Sequence, residues 1–150
     1  MAEIRHLLDY NHGPVVAITI GLSYVEEGRR RARGDSSPAR QSVQASIHTG
    51  LATTLVDEQL WLRLDPNQSD LRYKLRIPEI IFLEPVQRPE AAFSIGIPEV
   101  GALSKQANAI IMPLPGSIQC ILGRNFLNAY KAVFIYDGEY ELFSLNAPEM

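Results

Sequence analysis

The chain has 150 residues, of which 46% are hydrophobic and 21% are charged, and its formal net charge at pH 7 is -3. This length fits one globular domain spanning 1–150, with a core expected over about 15–145. The composition excludes intrinsic disorder, no apolar run approaches the roughly 20 residues of a membrane helix, and the negative charge gives no general attraction to nucleic acid.

The N-terminal sequence indicates the cellular compartment, and the neighbours of the single cysteine indicate its role. The first residues, MAEIRHLLDYNHG, lack a basic segment followed by an apolar stretch, which is the pattern of a secretory signal. We therefore expect a cytoplasmic protein with neither a membrane nor a nucleic acid as partner. Cys120 cannot form an intramolecular disulfide and has Ile118, Ile121 and Leu122 as neighbours. We predict a small buried hydrophobic residue rather than a reactive thiol.

The first predicted element is a strand over Val15–Leu22. Its sequence, VVAITIGL, is rich in β-branched residues and follows a Gly-Pro pair. Four arginines are then crowded into 29–33, with glycines, serines, Asp35 and Pro38 around them. This composition predicts a solvated loop.

Two β-prone segments with a turn between them come next. Residues 42–47 predict a strand, His48-Thr49-Gly50 predicts a turn, and 53–56 is again β-prone. The turn is therefore expected to lie between two extended segments.

A short helix is predicted immediately after this loop. Asp57 can cap its start, and Leu60, Trp61 and Leu64 recur at helical spacing in DEQLWLRL. Pro66 marks its end. Trp61 is expected to pack in the core rather than to form part of a site.

The middle of the chain predicts further strands. Extended runs cover 71–84 and 91–98, and a polar linker that contains Pro85 and Pro89 separates them. Residues 109–112 form another apolar, strand-like run. The two extended runs over 71–84 and 91–98 are expected to belong to one sheet.

The C-terminal third predicts a strand, a helix and a hairpin. SIQCILG is β-prone, and Phe126 and Leu127 begin a helical repeat, so a helix is predicted to start near Arg124. AVFIY and EYELFSL flank Asp137-Gly138, which predicts a hairpin with a type I′ turn. Many short strands with one or two brief helices indicate an all-β barrel or sandwich.

Three segments, in this order, resemble the retropepsins, which are the retroviral proteases and their cellular and bacterial relatives. The first is SIHTGLATTLVDEQL, which resembles the strand and Asp-Thr/Ser-Gly turn of that family. The second is ILGRNFL, which resembles the apolar-apolar-Gly element and the start of the C-terminal helix. The third is the hairpin over 134–145. The resemblance covers 15–145 and implies a retropepsin-like closed β-barrel.

The resemblance also implies a mechanism and an assembly. Each subunit of a retropepsin supplies one aspartate at a two-fold axis, and the two carboxylates share a proton so that one activates water while the other protonates. With one such turn per chain, a C2 homodimer with its cleft across the axis is implied, with peptide or protein segments as candidate occupants of the cleft and with no cofactor. The flap that covers substrate is expected within 65–73.

The chain departs from the family pattern at the position that matters most. Aligning the turn without a gap places His48 where the family has aspartate, which removes the shared-proton pair. Leu51 stands at the usual alanine position of the substrate cleft. Ala52 stands where retroviral members carry an acidic residue that pairs with the helix arginine. Arg124 then needs another partner if it is buried, because an unpaired buried charge is strongly disfavoured.

Other positions keep their family types. Thr49 and Gly50 complete the turn, and in the family the threonine hydroxyls interlock across the axis while the glycine permits a tight turn. Gly123, Arg124 and Asn125 match the structural Gly-Arg-Asn element. We therefore expect the dimer scaffold to be retained.

Other chemical roles were weighed for His48 and for nearby acids. Asp35 lacks the strand and glycine of a catalytic turn, and Asp57 is better explained as a helix cap. Two His48 rings are too few for a usual zinc site, and His6 and His12 offer no helpful spacing, so no metal is expected. A sharper hypothesis is that protonation of both His48 rings weakens the dimer, which sedimentation at acid and neutral pH would test.

The sequence is compatible with three functional hypotheses. The first is a retropepsin-like homodimer without conventional peptidase activity that binds peptides or has a structural role. The second is an active endopeptidase that uses His48 or an unrecognised acid. The third is a small β-barrel peptide-binding module whose likeness to proteases is accidental.

Overall fold

The structure is a computed structural model that describes residues 2–7, 13–36, 38–65, 74–76, 87–100, 104–114 and 116–147. The strands are β1 Ala2–Leu7, β2 Val15–Leu22, β3 Gln41–Ile47, β4 Thr54–Asp57, β5 Lys74–Arg76, β6 Arg88–Gly96, β7 Lys105–Met112, β8 Cys120–Leu122, β9 Val133–Asp137 and β10 Leu142–Ala147. The helices are α1 Tyr24–Ala32, α2 Glu58–Leu64 and α3 Arg124–Ala129, with a 3-10 turn at Pro98–Val100.

Most of these strands form a closed barrel. The larger sheet has the order β2-β3-β8-β4-β7-β6-β5, and β2 also pairs with β6. That pairing closes a six-strand barrel, and β5 extends the sheet beyond β6. The predicted all-β barrel is confirmed, although the described part of the chain contains three α-helices rather than one or two.

The barrel closes around one apolar core because its strands alternate between buried and more exposed residues. In β2, Val16, Ile18 and Ile20 point inward, as the period of two requires. The main core cluster runs from Val16 to Leu145 and includes Trp61. The predicted packing role of Trp61 is therefore confirmed.

A second, three-stranded sheet has the order β1-β10-β9. Phe143 and Leu145 of β10 are fully buried in the main core, so this sheet covers one side of the barrel. The sequence analysis missed β1, which pairs along its whole length with β10. A solitary edge strand with mixed polarity has little local signal, because its partner lies at the other end of the chain.

The loop predicted around 29–33 is wrong, because Arg29, Arg30 and Arg31 belong to helix α1 and Arg33 is its C-terminal cap. Ser23 caps the helix by accepting a hydrogen bond from the Glu26 backbone N–H at 3.1 Å. Acidic residues occupy the first turn and arginines the last, which complements the helix dipole. The Ser-x-x-Glu signature of a capping box was present in the sequence, but the glycines at 28 and 34 obscured it.

Helix α1 has charged side chains that are buried in the protein, in addition to those exposed to solvent. Glu26 and Arg30 are only 3% and 7% exposed to solvent, and Asp65, the C-terminal cap of α2, is 1% exposed. The Arg30 guanidinium donates to Asp65 Oδ1 at 3.0 Å and lies 3.4 Å from Glu26 Oε1. Arg29 also pairs with Glu26. This buried cluster joins α1 to the end of α2.

The C-terminal hairpin is confirmed, but its type I′ turn is wrong. Asp137 pairs with Leu142, so four residues form the loop. The φ angle of Gly138 is not positive, and Glu141 instead adopts a positive φ of 53°. The Asp137 side chain accepts hydrogen bonds from the backbone N–H groups of Glu139 and Tyr140, which favours a wider turn.

The remaining predicted elements have mixed outcomes. The strand at 42–47 is confirmed and starts at Gln41, and the strand at 109–112 is confirmed within the longer β7. Pro89, which was assigned to a linker, lies near the start of β6, where a proline is tolerated. The flap prediction over 65–73 falls outside the described residues except for Asp65.

Candidate functional site

The candidate site lies where β8 is inserted between two strands that precede it in the chain. Strand β8 pairs in parallel with β3 and antiparallel with β4. The loop 48–53 joins β3 to β4 and must therefore pass around the end of β8. Helix α3 starts directly after β8, so this loop and the helix start meet at the same end of the barrel.

His48 begins this loop and is fixed through its backbone. Its N–H donates to the Leu122 carbonyl at 2.9 Å, which continues the β3–β8 ladder by one residue. Its carbonyl accepts from the Leu51 N–H at 3.2 Å, which closes a turn over Thr49 and Gly50. The residues from His48 to Gly50 are exposed in the single chain, as is Ala52, while Leu51 is half-buried.

Gly50 leaves space beside the imidazole of His48. Its φ is not positive, so the turn does not use glycine's conformational freedom. A Cβ at this position would instead lie 2.9 Å from Cε1 and 3.2 Å from Nδ1 of His48. The absence of a side chain at Gly50 therefore makes room for the imidazole of His48.

Helix α3 is attached to the loop through its first N–H groups. The Arg124 N–H donates to the Leu51 carbonyl at 2.8 Å, and the Asn125 N–H donates to the Ala52 carbonyl at 3.1 Å. These N–H groups have no partner within the helix itself. The loop satisfies them and is held in place by the same bonds.

The side chain of Asn125 connects helix α3 to strands β4 and β7. Its Oδ1 accepts from the N–H of Thr54 at 2.9 Å and from the Thr54 hydroxyl at 2.8 Å, and its Nδ2 donates to the Asn108 carbonyl at 2.6 Å. The Thr54 hydroxyl accepts from the Gly123 N–H at 3.0 Å. The sequence analysis missed Thr54 and Asn108, because no local pattern links them to Asn125.

The Arg124 side chain is exposed, so the buried charge considered in the sequence analysis does not arise. Its Nη1 donates to the Thr49 carbonyl at 2.9 Å. Among the residues that the structure describes, no carboxylate forms an ion pair with it. The guanidinium is thus anchored to the loop of His48 by a neutral acceptor.

A small apolar cluster adjoins the loop on the outer side of β4, β7 and β8. Its buried members are Leu55, Ile110 and Met112, and partly buried Leu51, Leu114 and Ile121 pack against it. Leu51 belongs to both the loop and the cluster. An apolar cluster that is mostly buried in the single chain therefore begins directly beside the exposed turn of His48.

The other acidic residues considered in the sequence analysis have structural contacts. Asp57 caps α2 by accepting from the Gln59 N–H and also accepts from the Leu114 N–H at 2.8 Å, which confirms its predicted capping role. Asp35 forms an exposed ion pair with Arg33. Within the described ranges, no group of three His, Cys, Asp or Glu residues could hold a metal ion, and no helix is long and apolar enough to cross a membrane.

Cys120 is buried in β8, and burial raises the pKa of its thiol from 9.0 to about 12. This confirms the prediction of a buried hydrophobic role. Because its folded-state pKa is raised, the thiol makes its full contribution to stability below the unfolded-state pKa. This contribution is lost as the pH rises from the unfolded-state pKa toward the folded-state pKa.

Replacement of Cys120 tests this linkage. The unaltered protein is expected to lose about 1.4 kcal/mol of unfolding free energy between neutral pH and pH 10 beyond any loss in Cys120→Ala. Urea unfolding of both proteins across this pH range measures the difference. Parallel pH profiles for the two proteins would contradict an inert, buried thiol.

Comparison with known proteins agrees with this architecture. A crystal structure of a retropepsin-like aspartic protease from Rickettsia conorii superposes with a TM-score of 0.61 and 17% sequence identity, covering 99% of this chain and 93% of that chain. The chain has the retropepsin-like fold. No protein-family model matches the sequence, and no curated protein matches it.

Within the retropepsin-like fold, the loop of His48 and the start of α3 are the elements to which the sequence resemblance assigned the catalytic turn and the Gly-Arg-Asn element. The structure joins these two elements through three hydrogen bonds between residues far apart in sequence: Arg124 N–H to Leu51, Asn125 N–H to Ala52, and the Arg124 side chain to Thr49. The His48 N–H also donates to Leu122 at the end of β8.

Proposed function

We propose that this chain forms a retropepsin-like homodimer that binds extended peptides and lacks conventional aspartic peptidase activity. The observation that carries this proposal is the exposed turn of His48, held between β3, β8 and α3 in a retropepsin-like fold. The turn itself, His-Thr-Gly, contains no carboxylate.

The chemistry of the turn supports a loss of peptidase activity. Two aspartates at a two-fold axis share one proton, and their remaining negative charge holds the water that attacks the peptide bond. His48 is neutral or positive in each of its protonation states. A pair of imidazoles can accept protons, but it lacks the negative charge that this mechanism needs.

Two surface features support a dimer. The turn of His48 is exposed in the single chain, and strand β9 forms one edge of the small sheet among the described strands. On β9, Val133 and Ile135 remain 49% and 52% exposed. An apolar edge strand is a surface on which a second copy can pair, and self-pairing gives two-fold symmetry.

Peptide binding is supported by the apolar cluster beside the turn. Leu51 connects the exposed loop to buried Leu55 and Ile110. Sites for extended peptides combine backbone hydrogen bonds with apolar pockets for alternate side chains. A cleft shared by two subunits would have such an apolar wall on each side of its axis.

Restoring the carboxylate is the test of this proposal. His48→Asp is expected to gain pepstatin-sensitive cleavage of a mixed peptide library, read by mass spectrometry, because it supplies the shared-proton pair. His48→Asn is the matched control, since it has nearly the same shape but no charge, and it should remain inactive like the unaltered protein.

Sedimentation of the same proteins checks the assembly. A dimer that cleaves only as His48→Asp agrees with the proposal. Cleavage by the unaltered protein would instead support a working peptidase that uses His48 or another acid. A monomer with no active variant would contradict the proposal and favour a β-barrel binding module.

A further inference from the structure

We infer that Arg124 gives the cleft a preference for acidic peptides, by binding a carboxylate of the ligand beside the turn of His48. This inference rests on the proposed peptide-binding function and names the class of ligand. It concerns a specificity-determining residue and requires no peptidase activity.

The hydrogen bonds of Arg124 leave most of its binding capacity unused. A guanidinium presents several N–H donors in a planar fork that matches the two oxygens of a carboxylate. The contact with the Thr49 carbonyl uses one of these donors. The side chain is exposed in the single chain, and its remaining donors have no ionic partner among the described residues.

Three arginines in or directly after helix α1 form ion pairs, which gives a comparison within the same protein. Arg29 and Arg30 both pair with the buried carboxylate of Glu26, and Arg30 also binds Asp65. Arg33 pairs with Asp35. Arg124 differs from these three because its anchor is a neutral carbonyl, which leaves its charge uncompensated by any described residue.

The position of Arg124 makes this charge relevant to a ligand. Its side chain binds Thr49, the residue after His48, and its backbone N–H binds Leu51. The loop 48–52, His-Thr-Gly-Leu-Ala, carries no acidic residue. Ala52, which is exposed and small, also leaves the surface beside the helix start open.

Arg124 and the loop 48–52 therefore carry no negative side-chain charge. Arg124 is positive at all physiological pH values, and His48 is neutral or positive. A ligand carboxylate would gain an ion pair with hydrogen-bonded geometry, whereas a ligand lysine or arginine would be repelled. In a two-fold dimer, each half of the cleft would carry one Arg124.

Matched peptide libraries test the inference. The probes are acetylated and amidated octapeptides in which glutamate or glutamine is fixed at each position in turn, incubated with the immobilised full-length chain. We expect the unaltered protein to retain the glutamate pool over the glutamine pool by about 5-fold at one or more positions. High salt should reduce this ratio, because screening weakens exposed ion pairs.

Three variants assign the preference to Arg124. Arg124→Gln is expected to bring the ratio to about one, whereas Arg31→Gln should keep the ratio of the unaltered protein. Arg31 is also exposed, but α1 lies at the opposite end of β3 from His48. Ala52→Asp leaves Arg124 in place and supplies a carboxylate near it, so it should also abolish the preference.

The outcomes separate this inference from the proposed function. Equal retention of the glutamate and glutamine pools by the unaltered protein, or an unchanged ratio in both Arg124→Gln and Ala52→Asp, overturns the inference and leaves peptide binding intact. Loss of the preference in Arg31→Gln also overturns it, because net charge would then explain the ratio. Retention of no pool at all overturns both proposals.

Discussion

Gly123→Ala is expected to lower the free energy of unfolding by roughly 3 kcal/mol. A Cβ at Gly123 would lie 2.8 Å from the carbonyl carbon and 2.9 Å from the oxygen of Thr53, and 3.0 Å from the oxygen of Leu51. All three are backbone atoms, so no side-chain rotation relieves the contact. The loop of His48 or the start of α3 must move.

The cause of this loss is close packing and not backbone strain. Gly123 has a φ of -94° and a ψ of -177°, which any residue adopts. The added methyl group would also separate the Gly123 N–H from the Thr54 hydroxyl, which are 3.0 Å apart. The substitution therefore affects the loop, the strand after it and the helix together.

Gly28→Ala is the matched control for the change at Gly123. Gly28 lies inside α1, is exposed, and a Cβ there would meet nothing within 4 Å. Alanine should raise stability by about 0.5–1 kcal/mol, because glycine is costly inside a helix. Urea unfolding of the two variants measures both effects. Equal stability of Gly123→Ala and the unaltered protein would show that the loop and helix are not packed as described.

Arg30→Met is the second substitution with a large expected effect, a loss of roughly 3 kcal/mol of unfolding free energy. The guanidinium of Arg30 lies between the carboxylates of Glu26 and Asp65, and all three side chains are buried. Methionine preserves much of the volume but removes the positive charge. The two carboxylates then remain in a poorly solvated place without the cation between them.

The loss is expected at the low end of the range for buried ion pairs. Glu26 keeps its pair with Arg29, and Asp65 has a further interaction. Adding Glu26→Gln and Asp65→Asn to Arg30→Met should recover part of the stability, because the carboxylate charges are then absent.

Arg31→Met is the control within the same helix. Arg31 is exposed, so its replacement should change the unfolding free energy by no more than about 0.5 kcal/mol. Thermal and urea unfolding of both variants distinguish the two positions. If Arg30→Met and Arg31→Met are equally stable, the buried cluster does not join α1 to α2 as the structure indicates.

Local sequence patterns were sufficient for the elements in which each residue's environment repeats along the chain. Strand β2 was predicted with its correct ends because a run of β-branched residues has one conformational preference throughout. Helix α2 followed from its apolar spacing and its Asp57 cap. Helix α1 was also encoded locally, by Ser23 and Glu26, but the glycines around its arginines were given more weight than the capping box.

The candidate site was only partly predictable. The motif around His48 and the Gly-Arg-Asn element could each be found by resemblance, since each is contiguous in the sequence. The exposure of Arg124 could not be predicted, because it depends on which backbone groups meet the start of α3. The contact between Gly50 and the His48 ring could not be predicted either, since it depends on the orientation of a neighbouring side chain.

The sequence by itself determined most of the strands and the short helices α2 and α3, and which of their faces are apolar, because these features follow from neighbours in the chain. Only the tertiary structure decided that β2 pairs with β6 to close the barrel, that β1 joins β10, and that Asn125 binds Thr54. These contacts join residues about 70 to 140 positions apart. Their energies depend on the packing of the whole core, which no local pattern specifies.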